Sequence, residues 1–200
     1  ENVTFIAMTK KQKIEQVAKE LFLKYGFKKV TVDEICRKAH VSRKTYYTFY
    51  ENKNALVLYI VDEISRQSLQ DFSALIDGPG SFAEKMSKAM ELKFEFSKSM
   101  SMEFIADIFD PAATEIMEYW KNVMQESMLL LMNFLKDGQL KGEMNPDLNL
   151  NFVLWFYAKM SDLLKAPEAL SMFSNVEEFV KQVTQVLVFG IMPVEKVLND

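Results

Sequence analysis

The side chains best equipped to bind something cluster in residues 42–47, Ser-Arg-Lys-Thr-Tyr-Tyr, where two cations stand among four hydroxyl groups. Such a set is rich in hydrogen-bond donors and suits a polyanion: Arg and Lys can donate to guanine O6 and N7, and hydroxyls can hold phosphate oxygens. Ser42 can cap a helix that begins at Arg43. On that helix Val41, Tyr46 and Tyr50 can point inward, leaving Arg43, Lys44, Thr45 and Tyr47 facing out. Catalytic and metal chemistry lack their parts. The chain has one His and one Cys, so no cluster has zinc-ligand spacing, and His40 has no partner for acid–base work. There is no nucleophile–base pair and no phosphate-cradling glycine loop, so no enzyme activity, cofactor or metal is expected. Cys36 reads as a small buried residue. A single cysteine excludes an intrachain disulfide framework and fits a reducing cytoplasm.

The elements that must position these groups are legible just upstream. Thr31-Val32-Asp33-Glu34 has capping-box spacing, and Val32, Ile35, Cys36 and Ala39 then form one apolar stripe. His40 follows at the turn, where histidine tolerates positive φ better than most non-glycine residues. Residues 31–53 therefore read as helix, tight turn and second helix, the helix-turn-helix arrangement for the DNA major groove. A first helix is expected over 10–25, with Ile14, Val17, Ala18, Leu21 and Phe22 on one face and Gly26 closing it in the left-handed conformation.

The glycines and prolines sit at Gly26, Gly78-Pro79-Gly80, Pro111, Gly138, Gly142, Pro146, Pro167, Gly190 and Pro193. The long intervals free of both suit helices, and no run shows strict two-residue alternation. The fold class is all-α. Further helices are expected over 53–76 (Asn52 capping; Leu56, Ile60 and Ile64 buried), from a capping box at Ser81 to 98, and over 100–109. Three more follow: from Pro111, with Asp110 as cap, to 137 before Gly138; over 148–165; and over 175–189. Residues 1–8 precede any helical pattern and are expected to form an arm.

Composition is that of a globular protein, 49% hydrophobic and 26% charged. Apolar runs such as 152–158 fall far short of the roughly 20 residues that span a bilayer, and no export leader opens the chain, so the expectation is a cytoplasmic protein without membrane contact. The net charge of −4 conceals a split. Residues 1–54 hold twelve Lys/Arg against six Asp/Glu, and residues 55–200 hold twelve against twenty-two. A basic head and an acidic body follow, the head being the part suited to phosphate.

This order of pieces resembles the TetR family of bacterial transcriptional regulators. The matching residues are 14–26 (IEQVAKELFLKYG), Phe27, Val30-Thr31-Val32, Ile35, Ala39, residues 41–47, Tyr50, Lys53 and Leu56. The resemblance implies a helix-turn-helix DNA-binding domain at 1–52 and a helical effector-binding and dimerisation domain at 53–200. It implies phosphate contacts by Thr45, Tyr47 and Lys53, with Lys10 or Lys11, and with Thr31 and Ser42 at helix starts; Arg43 and Lys44 become candidates for base readout. His40 stands where the family usually has glycine, and Phe49-Tyr50 replaces a more familiar His-Phe pair.

By composition alone the Met- and Phe-rich body reads as an ordinary core more readily than as a cavity. The resemblance favours an effector pocket, with Met90, Phe94, Phe104, Phe109, Met117, Trp120, Met124 and Phe156 as candidate lining for a small, largely apolar molecule. Phe152, Trp155, Phe179, Val183, Val186 and Leu187 supply either core or a two-fold homodimer interface, which would match a palindromic operator. The function implied is a dimeric DNA-binding regulator, a repressor released by its effector. The rival reading is a helical ligand-binding or scaffolding protein with only non-specific affinity for DNA.

Overall fold

The computed structural model describes residues 8–161, 168 and 171–191. Among the described residues all regular structure is helical, in nine helices: α1 (Lys10–Tyr25), α2 (Val32–Ala39), α3 (Arg43–Tyr47), α4 (Lys53–Asp77), α5 (Phe82–Lys98), α6 (Met102–Ile108), α7 (Thr114–Leu140), α8 (Leu150–Ser161) and α9 (Val176–Ile191). No described helix is long and apolar enough to cross a membrane. Two compact units emerge, one holding the chain up to Arg66 together with Met100–Trp120, the other Gln67–Ser99 and the chain from Lys121 onward. The division differs from the boundary expected at Lys53: α6 and the first turns of α7 group with the N-terminal helices.

In the first unit α1 opens with a reciprocal cap, Thr9 accepting from the Gln12 amide while the Gln12 side chain accepts from the Thr9 amide. Its buried face carries Ile14, Val17, Ala18, Leu21 and Phe22, and α1 packs on α2; Val30, Ile35, Ala39, Tyr46, Leu56 and Ile60 are likewise buried. Gly26 closes the helix at φ 77°, ψ 154°, with positive φ as expected but ψ extended, not left-handed helical. A Cβ there would also lie 2.6 Å from Asp107 Oδ2, so only glycine fits both the backbone and the close approach of α6. Residues 100–120 are tied to this unit by three specific contacts. Ser101 N donates to the Leu23 carbonyl (2.8 Å), Lys28 N donates to Asp107 Oδ2 (2.8 Å), and Phe104 meets Phe27 edge to face at 6.3 Å.

The start of α7 departs from expectation. Asp110 does not cap a helix at Pro111; its Oδ1 accepts from Ala112 N (2.7 Å) and its carbonyl from Ala113 N (2.9 Å), closing a separate turn. The Asp110 carboxylate is also paired with Lys28, which fixes the turn to the α1–α2 loop and delays the helix to Thr114.

In the second unit Phe82 stacks on Phe134 (4.7 Å), with Leu135 and Met144 buried beside them and Phe72 edge-on to Phe134. The expected capping box opens α5: Ser81 Oγ accepts from Glu84 N and Glu84 Oε2 from Ser81 N. Buried Lys85 donates to the Ile76 carbonyl at the end of α4 (2.6 Å), and α5 packs along α9. Gly138 does not terminate α7 as expected. The helix runs through it to Leu140 and stops at Gly142, where φ is 69°. At 138 the missing side chain is a notch: a Cβ would lie 2.6 Å from Phe82 Cδ2 and 2.9 Å from Cε2. Gly138→Ala should therefore destabilise the fold by roughly 1–3 kcal/mol through overpacking, although alanine alone favours a helix by about 1 kcal/mol. Urea unfolding of the two proteins measures the difference.

Candidate nucleic-acid interface

The site is built on α2 and α3. Thr31 caps α2, its Oγ1 accepting from Glu34 N at 3.2 Å. The expected box is only half formed, because the Glu34 carboxylate turns to Lys38 (3.8 Å) and not back to the cap. Ile35, Cys36 and Ala39 are buried, and His40 makes the turn in the left-handed conformation at φ 55°, ψ 44°. Ser42 then caps α3, accepting from Thr45 N at 3.0 Å, and its hydroxyl also meets Thr45 Oγ1 at 3.0 Å.

Beneath α3, Tyr46 is completely buried and Tyr50 nearly so. Burial, with Tyr47 and Cys36 nearby, pushes the Tyr46 phenol up to about 12, so it keeps its proton. Tyr50 donates to Glu15 on α1, and its own pKa is raised by burial and by that carboxylate. Arg43 and Lys44 lie on the open side, exposed, with Thr45 half-exposed and Tyr47 47% exposed. The Tyr47 ring stands edge-on to Tyr46 at 5.3 Å.

Two partnerships were not legible from spacing. Arg43 Nε lies 3.3 Å from Asp33 Oδ1 on α2, and the guanidinium also bonds Tyr47; the Tyr47 bond and then Asp33 raise its pKa. Lys53 differs from expectation. Its half-buried ammonium turns to the carbonyls of Phe27 (2.8 Å), Val30 (3.0 Å) and Lys28 (3.2 Å). Among the helix-1 candidates, Lys10 is exposed, whereas Lys11 pairs with Glu15 (3.4 Å) and covers the Tyr59 ring.

The remaining expected residues fall as follows. In the first unit Phe104 is a core residue against Phe27, Phe109 and Trp120 are half-buried, and Met117 is exposed. In the second unit Met90, Phe94, Met124 and Phe156 are half-buried. Phe152 and Trp155 are exposed (58% and 56%) and stack on each other at 6.0 Å. Phe179 is buried by its own chain, with Phe173 edge-on at 5.3 Å, so it is core and not free for an interface. The side chains of Val183, Val186 and Leu187 and the expected helical residues 162–165 lie outside the described ones. No group of three His, Cys, Asp or Glu side chains among the described residues could hold a metal.

A capped, basic five-residue helix set over a tyrosine core and preceded by a capped helix and an αL turn defines a helix-turn-helix head. Residues 14–60 match the family model of bacterial regulatory proteins, tetR family. The HTH-type transcriptional regulator UidR of Escherichia coli is 24% identical over 152 residues, covering 74% of this chain and 76% of that protein. The fatty acid degradation regulator FadR from Bacillus halodurans has the same fold at a TM-score of 0.71 and 17% identity, covering 92% of this chain and 96% of that one. FadR from Bacillus subtilis, solved in complex with stearoyl-CoA, superposes with a TM-score of 0.68 at 16% identity, over 90% of this chain and 99% of that one. The family match is confined to the helix-turn-helix head, and over the rest of the chain the solved structures share the fold.

Because α3 is so short, its cap is a large part of its local support. Ser42→Ala should lower stability by about 1 kcal/mol, read from urea unfolding.

Proposed function

We propose that the protein is a homodimer that binds a palindromic operator sequence-specifically and acts as a repressor released by a small, largely apolar effector. The observation that carries the DNA half is the outward set of Arg43 and Lys44 on a helix whose opposite side is sealed by Tyr46. Arg43 and Lys44 read base edges; Thr31, Ser42, Thr45, Tyr47 and Lys10 hold phosphates and set the register. Dimerisation is supported by the exposed aromatic stack on α8, an apolar surface that a lone chain leaves in water. The stearoyl-CoA held by the Bacillus subtilis FadR neighbour supports an effector with a long apolar part, and the abundance of Met and Phe in this chain agrees with it.

Coupling follows from chain order. α4 begins shortly after α3 ends, so a displacement of α4 is passed to the recognition helix, and two such helices leave the spacing that successive major grooves require. By linkage, an effector weakens operator binding only as far as it prefers the released conformer. The rival, a helical protein with merely non-specific DNA affinity, predicts no difference between duplexes at equal salt.

Selection of bound duplexes from a random pool should return a palindrome whose half-sites lie about 10–10.5 bp apart, or a multiple of that. Arg43→Ala should erode the preference for that palindrome by about 1–3 kcal/mol, whereas Tyr47→Phe should weaken selected and random duplexes alike. Enrichment of no sequence would refute the reading. Stearoyl-CoA, added to the operator complex, should release the DNA; unchanged operator affinity at saturation would remove long acyl chains from the effector class.

A further inference from the structure

An ammonium group has three N–H donors and no acceptor. At Lys53 all three have partners inside the protein: the carbonyls of Phe27, Val30 and Lys28. These carbonyls belong to the loop joining α1 to α2, and the loop ends at Thr31, the cap of α2. Lys53 is the first residue of α4. The side chain is therefore a strut from the start of one helix to the connection that delivers the start of another.

The surroundings favour a structural cation. Burial lowers the Lys53 pKa, and the Asp107 carboxylate acts against that and favours the charge. Asp107 itself accepts from Lys28 N, so the same loop is held on a second side by α6. Swinging the ammonium out to a phosphate would take the cation from the part-buried carbonyls of Phe27 and Val30, where such a loss is costly, as well as from the exposed carbonyl of Lys28.

We propose that Lys53 is a positioning residue for operator binding and not a phosphate ligand: it locks the first turn of α4 to the loop carrying Thr31, so that α2 and α4 move as one piece. The inference rests on the DNA-binding reading for its consequence, but the lock itself is a property of the free protein. It gives α4 a second route to the DNA face, through Thr31 and the start of α2, beside the direct connection to α3.

The salt dependence of binding separates the two roles, since each lost phosphate contact reduces the slope of log K against log salt by about 0.9 on duplex DNA. The experiment compares wild type, Lys53→Met and Lys53→Gln on the selected duplex at several salt concentrations, with Lys10→Ala as the reference for loss of an exposed phosphate-holding cation. Amide exchange over residues 28–34 is followed in each protein without DNA. Lys53→Met is expected to bind about tenfold more weakly with the wild-type slope, and to exchange faster at 28–34 while the core of α1 stays protected. Lys53→Gln keeps two N–H donors and should recover most of both losses. A slope reduced by about 0.9 in both variants, as in Lys10→Ala, would overturn the proposal, as would unaltered exchange at 28–34. If the wild type itself prefers no duplex, the operator reading fails, and the exchange measurement still decides whether Lys53 locks the loop.

Discussion

A helix of five residues has no stability of its own, because nucleating the first turn costs more than so few hydrogen bonds return. Everything proposed for α3 therefore depends on what lies beneath it. Tyr46 fills that place completely, flanked by Tyr47 and Tyr50, and Tyr50 in turn touches Tyr59 on α4 and donates to Glu15 on α1. Three helices thus meet at one layer of tyrosines. Rigid aromatic bodies fill the volume under a short helix, and the phenol of Tyr50 satisfies its polar end on a carboxylate. The recognition helix is held from below, and its outer side is left free to meet a partner.

The same unit is tied together by charge as well as packing. The loop after α1 carries Lys28 and Lys29, and residues 103–110 answer with Glu103, Asp107 and Asp110. An exposed pair such as Lys29 with Glu103, 3.9 Å apart, adds little by itself. The Asp107 contact is different in kind, since it captures a backbone amide and sits where only glycine at 26 allows it. Acidic residues far along the chain thereby neutralise part of the basic head on the side formed by α6, while on another side Arg43 is paired only with its near neighbour Asp33 and Lys44 stays exposed. Lys19 with Glu63 and Tyr119 with Asp62 join further helices of the unit in the same fashion. The head is thus not merely basic; its cations are sorted into those that bind the fold and those that stay available.

Several features could be read from spacing because they are local. The extents of α1, the Ser42 cap, the His40 turn and the Ser81 box depend on residues within a few positions of one another. Gly138 and Pro111 misled because their meaning is not local. A glycine inside a helical stretch reads as a stop until a ring from 56 positions earlier is found filling its notch. A proline after aspartate reads as a helix start until the aspartate is found engaged with a lysine 82 residues upstream. Phe179 belongs to the same group: its stripe position is compatible with an interface or a core, and burial by its own chain selects core.

The amino-acid order by itself determined the helical class, the helix-turn-helix and the outward set of Arg43, Lys44, Thr45 and Tyr47, because periodicity and caps act over three or four residues. Tertiary structure alone decided that residues 100–120 join the head, that Arg43 rests against Asp33, and that Lys53 turns to the loop carbonyls. Each of those outcomes needs groups ten to eighty residues apart to arrive at one place. No pattern within a helix encodes that meeting; it follows only when the loops and cores have closed.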